Sequence, residues 1–258
     1  MNKYALVTGA SKGIGLSISI ELAKLGYHLM LVARSEVELK AIAEQLEREY
    51  KIIALHYCAD LSDSNAVLEV ASWCKSHTAS LAILVNNAGY GLWGNFEQLL
   101  LADQLNMLQL NINAVIALTH HLLPVLKMQQ QSYILNISST AAYQAVPTLA
   151  IYAASKSFIL SFSRALRFEL KDSTVAVSCL CPGPTETGFA SRAGMDALTA
   201  LAEKFNTPPK VVAEAALKGM FNKKAEIVPG FINKVSAIGP TLLPKSLIEA
   251  ISARLFSH

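Results

Sequence analysis

Residues 3–33, KYALVTGASKGIGLSISIELAKLGYHLMLVA, decide the fold. The stretch opens on an apolar run, 3–7, that ends at Thr8 and Gly9. Ile14, Ile18, Leu22 and Leu25 then recur at i, i+4, i+8 and i+11, the spacing that lines one face of a helix. Gly26 closes that helix, and 28–33 is a second apolar run. Strand, glycine-rich turn, helix and strand within about 30 residues make a β-α-β unit.

The same alternation continues outward. The spacing predicts a helix at 36–49, a strand at 51–58, a helix at 64–77, a strand at 81–86 and a long helical stretch at 97–130. A strand at 132–138, a helix at 150–171 and a strand at 174–180 follow. Strands rich in Val, Ile and Leu that alternate with helices predict an α/β fold: a doubly wound, Rossmann-like parallel sheet with helices on both faces. After Cys181 the pattern loosens to a helix near 195–205, a helix opened by Thr207-Pro208-Pro209 and a short strand near 225–228. No linker divides the chain, so residues 1–258 read as a single domain. The segment 230–258 carries Phe231, Ile232, Val235, Ile238, Leu242 and Leu243 with few charges, and is expected to pack on the body or on a partner subunit.

Composition narrows the class. Of 258 residues, 52% are hydrophobic and 16% charged, and the mean hydropathy is +0.36, the balance of a chain with a large core. No run approaches the roughly 18 apolar residues a spanning helix needs, and the N-terminus shows no basic leader with a cleavage site. A cytoplasmic protein without a membrane span is expected. The net charge is +3 with no basic run, which removes nucleic acid as an expected partner. Cys58, Cys74, Cys179 and Cys181 fit neither a redox C-x-x-C nor a zinc spacing and read as buried thiols. His120-His121 has no carboxylate or Cys at ligand spacing, so no metal site is expected.

The glycine-rich turn is the first candidate site. Gly9, Ser11, Lys12, Gly13, Ile14 and Gly15 lie between the first strand and first helix, where missing Cβ atoms let backbone approach a pyrophosphate at a helix N-terminus. Their G-x-x-x-G-x-G spacing departs from the G-x-G-x-x-G fingerprint, and a plain tight turn is the competing reading. The second strand ends at Ala33-Arg34-Ser35, with no carboxylate for the ribose hydroxyls of NAD. A guanidinium there makes a forked contact with a 2′-phosphate, and Lys12 adds a second cation, so the pair favours NADP(H) over two merely solvated charges. Asn87, Ala88 and Gly89 end the fourth strand with small and amide groups suited to a flat ligand. Asp60 and Leu61, after the third strand, fall near an adenine ring in a Rossmann strand order; for Asp60 an N-cap role is an equal alternative.

Tyr152 and Lys156 stand at i and i+4 near the start of a helix, on one face and about one turn apart. An ammonium about 4 Å from a phenol is expected to lower its pKa by about three units towards neutrality. A phenol so tuned exchanges a proton with a carbonyl or an alcohol. Ser139 ends the fifth strand thirteen residues earlier and offers a hydroxyl to the reacting oxygen.

In order and spacing, T-G-x-x-x-G-x-G at 8–15, N-N-A-G at 86–89, Ser139 before Y-x-x-x-K at 152–156, and Pro182-Gly183 resemble the short-chain dehydrogenase/reductase family, over residues 3 to about 190. The resemblance implies Tyr152 as general acid/base, Lys156 as the group that tunes it and holds the nicotinamide ribose, and Ser139 as the carbonyl orienter. It implies an Asn in the long helix that organises a proton path; Asn106, Asn111 and Asn113 compete, Asn111 fitting best, thirteen residues before Pro124, and Asn113 next. Pro182, Gly183 and Thr187 would hold the carboxamide side of the nicotinamide. Ala142 departs from the family, where a Gly often stands. A homodimer or homotetramer is implied as well.

The expected activity is NADP(H)-dependent interconversion of a ketone and a secondary alcohol. Residues 188–205, apolar on one face, would form a lid that favours a hydrophobic substrate such as a 3-oxoacyl, steroid-like or other lipid-like ketone. Trp93 is a candidate for the cleft wall. A cofactor-binding sensor or scaffold without turnover is the alternative from another class, and a redox-silent isomerase or dehydratase is a third.

Overall fold

Seven short strands form one sheet: β1 (Tyr4–Thr8), β2 (His28–Ala33), β3 (Ala54–Cys58), β4 (Leu81–Asn86), β5 (Ser132–Ile137), β6 (Val175–Leu180) and β7 (Glu226–Ile227). The computed structural model of the chain describes residues 3–188, 193, 206–242 and 244–256. The strand order is β3-β2-β1-β4-β5-β6-β7 and every pairing is parallel. From β1 the chain steps outward through β2 and β3, then returns to the other side of β1 for β4 to β7. That reversal opens a crevice beyond the carboxyl ends of β1 and β4, where open α/β sheets receive ligands.

Among the described residues the helices are α1 (Gly13–Lys24), α2 (Glu36–Tyr50), α3 (Ser64–His77), α4 (Leu101–Leu108), α5 (Ala114–Lys127), α6 (Ala150–Glu169), α7 (Pro209–Phe221), α8 (Phe231–Leu242) and α9 (Lys245–Phe256). Side chains alternate through the strands. Ala5, Val7, Leu29, Leu31, Ile83 and Val85 pack under α1, α2 and α7, whereas Leu6, Met30, Val32, Leu84 and Ile134 pack under α3 and α5. With both faces covered, β1, β2 and β4 are near-continuous apolar runs, which is why the doubly wound class was readable from runs alone.

Several boundaries differ from expectation for local reasons. β3 starts at Ala54, not 51, because Lys51 takes left-handed backbone (φ 57°) to end α2, its N–H bonding the Glu47 carbonyl. The helical stretch expected at 97–130 runs from 101 to 127 and contains a five-residue π-turn, Gln109–Asn113, between α4 and α5. The helix expected near 195–205 lies outside the described residues. The C-terminal segment packs on the body through Asn233 and Ala237, one turn apart on α8, while Phe231, Ile232 and Val235 on the other side are 81%, 64% and 54% exposed.

Candidate active site

The glycine-rich turn and the N-N-A-G turn are bolted together at the crevice. Thr8 Oγ1 donates to the Val85 carbonyl and accepts from the N–H groups of Asn87 and Ala88, at 3.2, 2.9 and 3.0 Å. Asn87 Nδ2 donates to the carbonyls of Thr8 (2.8 Å) and Gly9 (3.1 Å). Gly9 and Gly13 adopt φ of 64° and 58°, backbone that glycine takes without strain. Lys12 is the N-cap of α1 without a side-chain cap, and no acid occupies the first turn, which leaves the helix N-terminus facing the crevice for an anion. A Cβ on Gly15 would lie 2.3 Å from the Gly9 carbonyl oxygen and 2.4 Å from Asn87 Nδ2. Gly15→Ala is therefore expected to force the two turns apart and cost about 1–3 kcal/mol, read as a lowered midpoint in thermal unfolding. An unchanged midpoint would show that the junction yields freely.

At the ends of β2 and β3, Arg34 and Asp60 stand side by side, Nη1 to Oδ2 at 3.8 Å, both well exposed. Asp60 also accepts from the N–H and hydroxyl of Ser62 at 3.0 and 2.8 Å. Partial burial raises its pKa, but these hydrogen bonds and the Arg34 charge outweigh that and hold it below the ordinary value. The N-cap alternative for Asp60 does not hold, because Asp63 caps α3 through Asn65 N. Leu61 turns its side chain into the core beneath β2 and β4. Cys58 is exposed rather than buried, its thiol donating to the Arg34 carbonyl at 3.2 Å.

Ser139, Tyr152, Lys156 and Asn111 converge from three elements. Ser139 follows β5 and accepts from Ala141 N at 3.1 Å, capping a short turn at Thr140–Tyr143. Tyr152 and Lys156 lie buried in the first turns of α6, and the Tyr152 phenol is hydrogen-bonded to Ser139. Lys156 Nζ sits 5.8 Å from the Tyr152 ring centroid and donates to the Ile137 carbonyl at 3.1 Å. Among the three competing asparagines the π-turn selects Asn111. Its amide accepts from Tyr90 N (3.1 Å) and donates to Tyr90 O (2.9 Å) and Ser155 Oγ (3.2 Å). A Cβ on Gly89 would lie 2.9 Å from Asn111 Oδ1 and 3.4 Å from Lys156 Nζ, which brings the N-N-A-G turn against both residues. Asn106 instead accepts from the Tyr90 hydroxyl, and Asn113 pairs with Gln109.

Electrostatics reverse one expectation. Burial pushes the Tyr152 phenol up to about 12, with the Ser139 hydrogen bond pulling the other way, and burial brings Lys156 down to about 8. The lysine does not bring the phenol towards neutrality here, because desolvation of both groups exceeds their mutual effect at this separation. Tyr152 is thus protonated near pH 7. The folded state disfavours the Lys156 charge, so below pH 8 the protein carries a penalty on the order of 3 kcal/mol. Between pH 8 and the unfolded value of 10.5 the unfolded chain binds more protons, and this contribution to stability rises with pH. Lys156→Met removes the penalty but leaves the Ile137 carbonyl unmet. A net gain of about 2 kcal/mol at pH 7 is expected in chemical denaturation, together with loss of the rise between pH 8 and 10.5. A variant less stable at pH 7 would show the ammonium to be stabilising.

The sixth strand leads into Pro182 and Gly183. The Pro182 carbonyl accepts from Thr140 N at 2.9 Å, tying this segment to the turn after Ser139. A Cβ on Gly183 would lie 2.1 Å from Asn233 Oδ1, so α8 packs directly on it. Thr187 lies against Gly13, where an added Cβ would come within 2.9 Å of its side chain. Ala142 is buried in the 140–143 turn, its carbonyl accepting from Ser157 Oγ at 2.7 Å. Tyr90, Leu92, Trp93 and Ile151 pack with Met107, Val146, Leu149 and Tyr152 into an apolar wall beside the phenol. Thr148, a β-branched residue at φ 64°, holds this wall through Gly94 N at 2.9 Å, a strained conformation of the kind found at functional sites. The expected lid, apart from Gly188 and Ala193, lies outside the described residues.

Sequence reasoning named Thr8 only as part of the glycine-rich motif and passed over the contacts of Tyr90 and Tyr143. Tyr143 donates to Glu226 on β7, which pairs with Arg164 on α6. Thr8 alone carried a signal, as a hydroxyl at a strand end before a glycine. No group of His, Cys, Asp and Glu able to hold a metal occurs among the described residues, and no described helix is long and apolar enough to cross a membrane.

The short chain dehydrogenase family model matches residues 3–197. A very-long-chain 3-oxoacyl-CoA reductase of Laccaria bicolor is 31% identical over 179 residues, 69% of this chain and 53% of that protein. An NADP-dependent 3-hydroxy acid dehydrogenase of Schizosaccharomyces pombe is 32% identical over 190 residues, 73% of each chain. The match therefore spans about half the length of the first relative and nearly three quarters of the second. Among solved structures, a short-chain dehydrogenase from Sphingobium yanoikuyae in complex with NADPH is 28% identical and superposes with a TM-score of 0.83, covering 95% of this chain and 94% of that one.

Proposed function

This chain belongs to the short-chain dehydrogenase family, and on that footing we propose that it is an NADP(H)-dependent carbonyl reductase that converts a hydrophobic ketone to a secondary alcohol, and the reverse. The observation that carries the reading is the buried Tyr152 phenol, hydrogen-bonded to Ser139 and one helical turn from Lys156, beside the crevice that the glycine-rich turn lines. The residues fit the cofactor. Gly9, Ser11, Lys12, Gly13, Ile14 and Gly15 form the turn at the uncapped N-terminus of α1, where backbone N–H groups can receive a pyrophosphate, and Arg34 supplies a guanidinium for a 2′-phosphate. Asp60, the Leu61 backbone, Asn87, Ala88 and Gly89 would flank the adenosine and ribose, and Pro182, Gly183 and Thr187 the carboxamide. NADPH, when bound, supplies the hydride.

The chain's own groups supply the proton and the geometry. Tyr152, protonated at neutral pH, donates from its hydroxyl to the carbonyl oxygen as the alcohol forms. Ser139 Oγ shares that oxygen and fixes its position. Lys156, charged below about pH 8, stands behind the phenol and, with Asn111, supports its reprotonation. The apolar wall of Leu92, Trp93, Met107, Val146 and Leu149 supports a hydrophobic substrate, and the Laccaria bicolor relative's name supports a 3-oxoacyl thioester among such ketones.

We extend the proposal to quaternary structure, setting and organisation. Leu101 and Leu105 on α4 and Phe158 and Phe168 on α6 are exposed, which supports a homodimer or homotetramer. The four thiols are free, which supports a reducing, cytoplasmic setting. The one continuous sheet supports a single domain. NADPH oxidation against a panel of ketones and 3-oxoacyl thioesters tests the activity. Tight NADPH binding without turnover of any of them would sink the reductase reading.

A further inference from the structure

Ser139 can share a substrate oxygen with Tyr152 only while the turn that follows it stays in place. It has extended backbone (φ −163°, ψ 161°) at the end of β5, and its Oγ is engaged by Ala141 N and by the Tyr152 phenol. The turn itself, Thr140–Tyr143, is a single helical turn, too short to be stable alone. Its anchors therefore come from outside. Thr140 N donates to the Pro182 carbonyl at 2.9 Å, Ser157 Oγ donates to the Ala142 carbonyl at 2.7 Å, and α8 packs against the turn.

The last anchor is a side chain. The Tyr143 ring packs with Val115, Ile159, Cys179 and Cys181, and its hydroxyl donates to Glu226 Oε2 on β7 at 2.7 Å. Burial and the Cys181 thiol raise the Tyr143 pKa, so the phenol stays a donor. A phenol bonded to a carboxylate is charge-assisted and stronger than a neutral pair. Glu226 Oε1 accepts in turn from Arg164 on α6, the helix that carries Tyr152 about three turns earlier. Tyr143, Glu226, Arg164 and α6 thus close a circuit whose other end is the Ser139–Tyr152 hydrogen bond.

We propose that Tyr143 is a positioning residue: its bond to Glu226, itself held by Arg164, clamps the Thr140–Tyr143 turn to β7 and α6 and so sets where Ser139 Oγ meets the substrate oxygen beside the Tyr152 phenol. The proposal rests on the carbonyl-reductase reading and adds a residue that acts through Ser139, since its own hydroxyl is spent on Glu226. An exposed ion pair such as Arg164–Glu226 contributes little stability by itself. Here it orients the carboxylate towards the phenol. A misplaced Ser139 hydroxyl weakens a bond that matters most as charge develops on the oxygen, so loosening the clamp costs rate more than substrate binding.

The test assays the full chain with NADPH and the ketone of the panel that turns over fastest, in four forms: wild type, Tyr143→Phe, Ser139→Ala and the double variant. Tyr143→Phe keeps the ring in its cluster and deletes only the hydroxyl. Its kcat is expected to fall roughly tenfold with KM within about twofold of wild type. In the Ser139→Ala background the same change is expected to lower kcat less than about twofold, because the group it acts through is gone. A role confined to stability would leave kcat unchanged in both backgrounds. That result, or equal losses in the two backgrounds, would overturn the proposal. Hydrogen exchange supplies a readout without turnover: amides of 140–142 are expected to exchange at least about fivefold faster in Tyr143→Phe, with those of α3 unchanged. Unchanged exchange at 140–142 would also overturn the clamp. The two readings fail separately, since faster exchange with no ketone reduced supports the clamp and sinks the reductase reading, whereas reduction without coupling to Ser139 sinks only the positioning role.

Discussion

Tyr152→Phe is expected to lower ketone reduction by a factor of about 10²–10⁴ while the protein unfolds at nearly the wild-type temperature. In the proposed mechanism the phenol hydroxyl gives a proton to the forming alkoxide, and burial, which pushes its pKa up to about 12, keeps it protonated at neutral pH. Phenylalanine fills the same space in the apolar wall of Met107, Val146 and Leu149. The hydroxyl removed leaves Ser139 Oγ with its bond from Ala141 N, so the stability cost stays under about 1 kcal/mol. NADPH affinity should be little changed, because the ring, not the hydroxyl, shapes that side of the crevice. Parallel measurement of turnover, melting temperature and NADPH binding separates the outcomes. A variant that retains more than about a tenth of the activity would move the proton donor elsewhere.

The second large effect is in cofactor choice. Arg34→Ala removes the guanidinium proposed for the 2′-phosphate, and a charge-assisted contact of that kind is worth roughly tenfold to a hundredfold in affinity. The structure makes the change larger than a simple loss. Asp60 stands 3.8 Å from Arg34 and loses its neutralising partner, so its carboxylate then repels the phosphate. The same carboxylate is free to accept from ribose hydroxyls, which favours NADH. The ratio of NADPH to NADH affinity, measured by fluorescence titration, is therefore expected to fall by about a hundredfold or more. Arg34→Ala with Asp60→Asn should recover part of the NADPH loss. An unchanged ratio in the single variant would place the 2′-phosphate away from the end of β2.

Most of this site was legible because the fold's edges are written in local chemistry. The boundaries of α3 and β4 coincide with the sequence reading, since each has a clear period or an unbroken apolar run between polar ends. The meeting of Gly9 and Asn87 followed from parallel strands ending on one edge. What local sequence does not carry is depth. The Tyr152–Lys156 spacing was read as a lysine lowering a phenol, yet both groups are buried and the phenol moves upward. The exposure of Cys58 and the inward turn of Asn233 likewise depend on which face tertiary packing covers. Arg34 and Asp60 follow different strands, and their pairing needed the β2-β3 register to be seen.

The π-turn at Gln109–Asn113 sets a rule for length variation in this chain. Such a turn is an α-helix holding one residue too many, and removing that residue restores the regular ladder. The residues after it would then rotate by about 100° relative to those before it. On one side stands Asn111, clamped by Tyr90; on the other stand Ala114, Leu118 and Leu122, which face the sheet. A single deletion between 109 and 113 can keep the phase of one set but not of both. Descendants of this sequence can exchange side chains along that helix freely at its exposed positions, whereas the residue count between Tyr90's partner and the buried face of α5 is fixed by geometry.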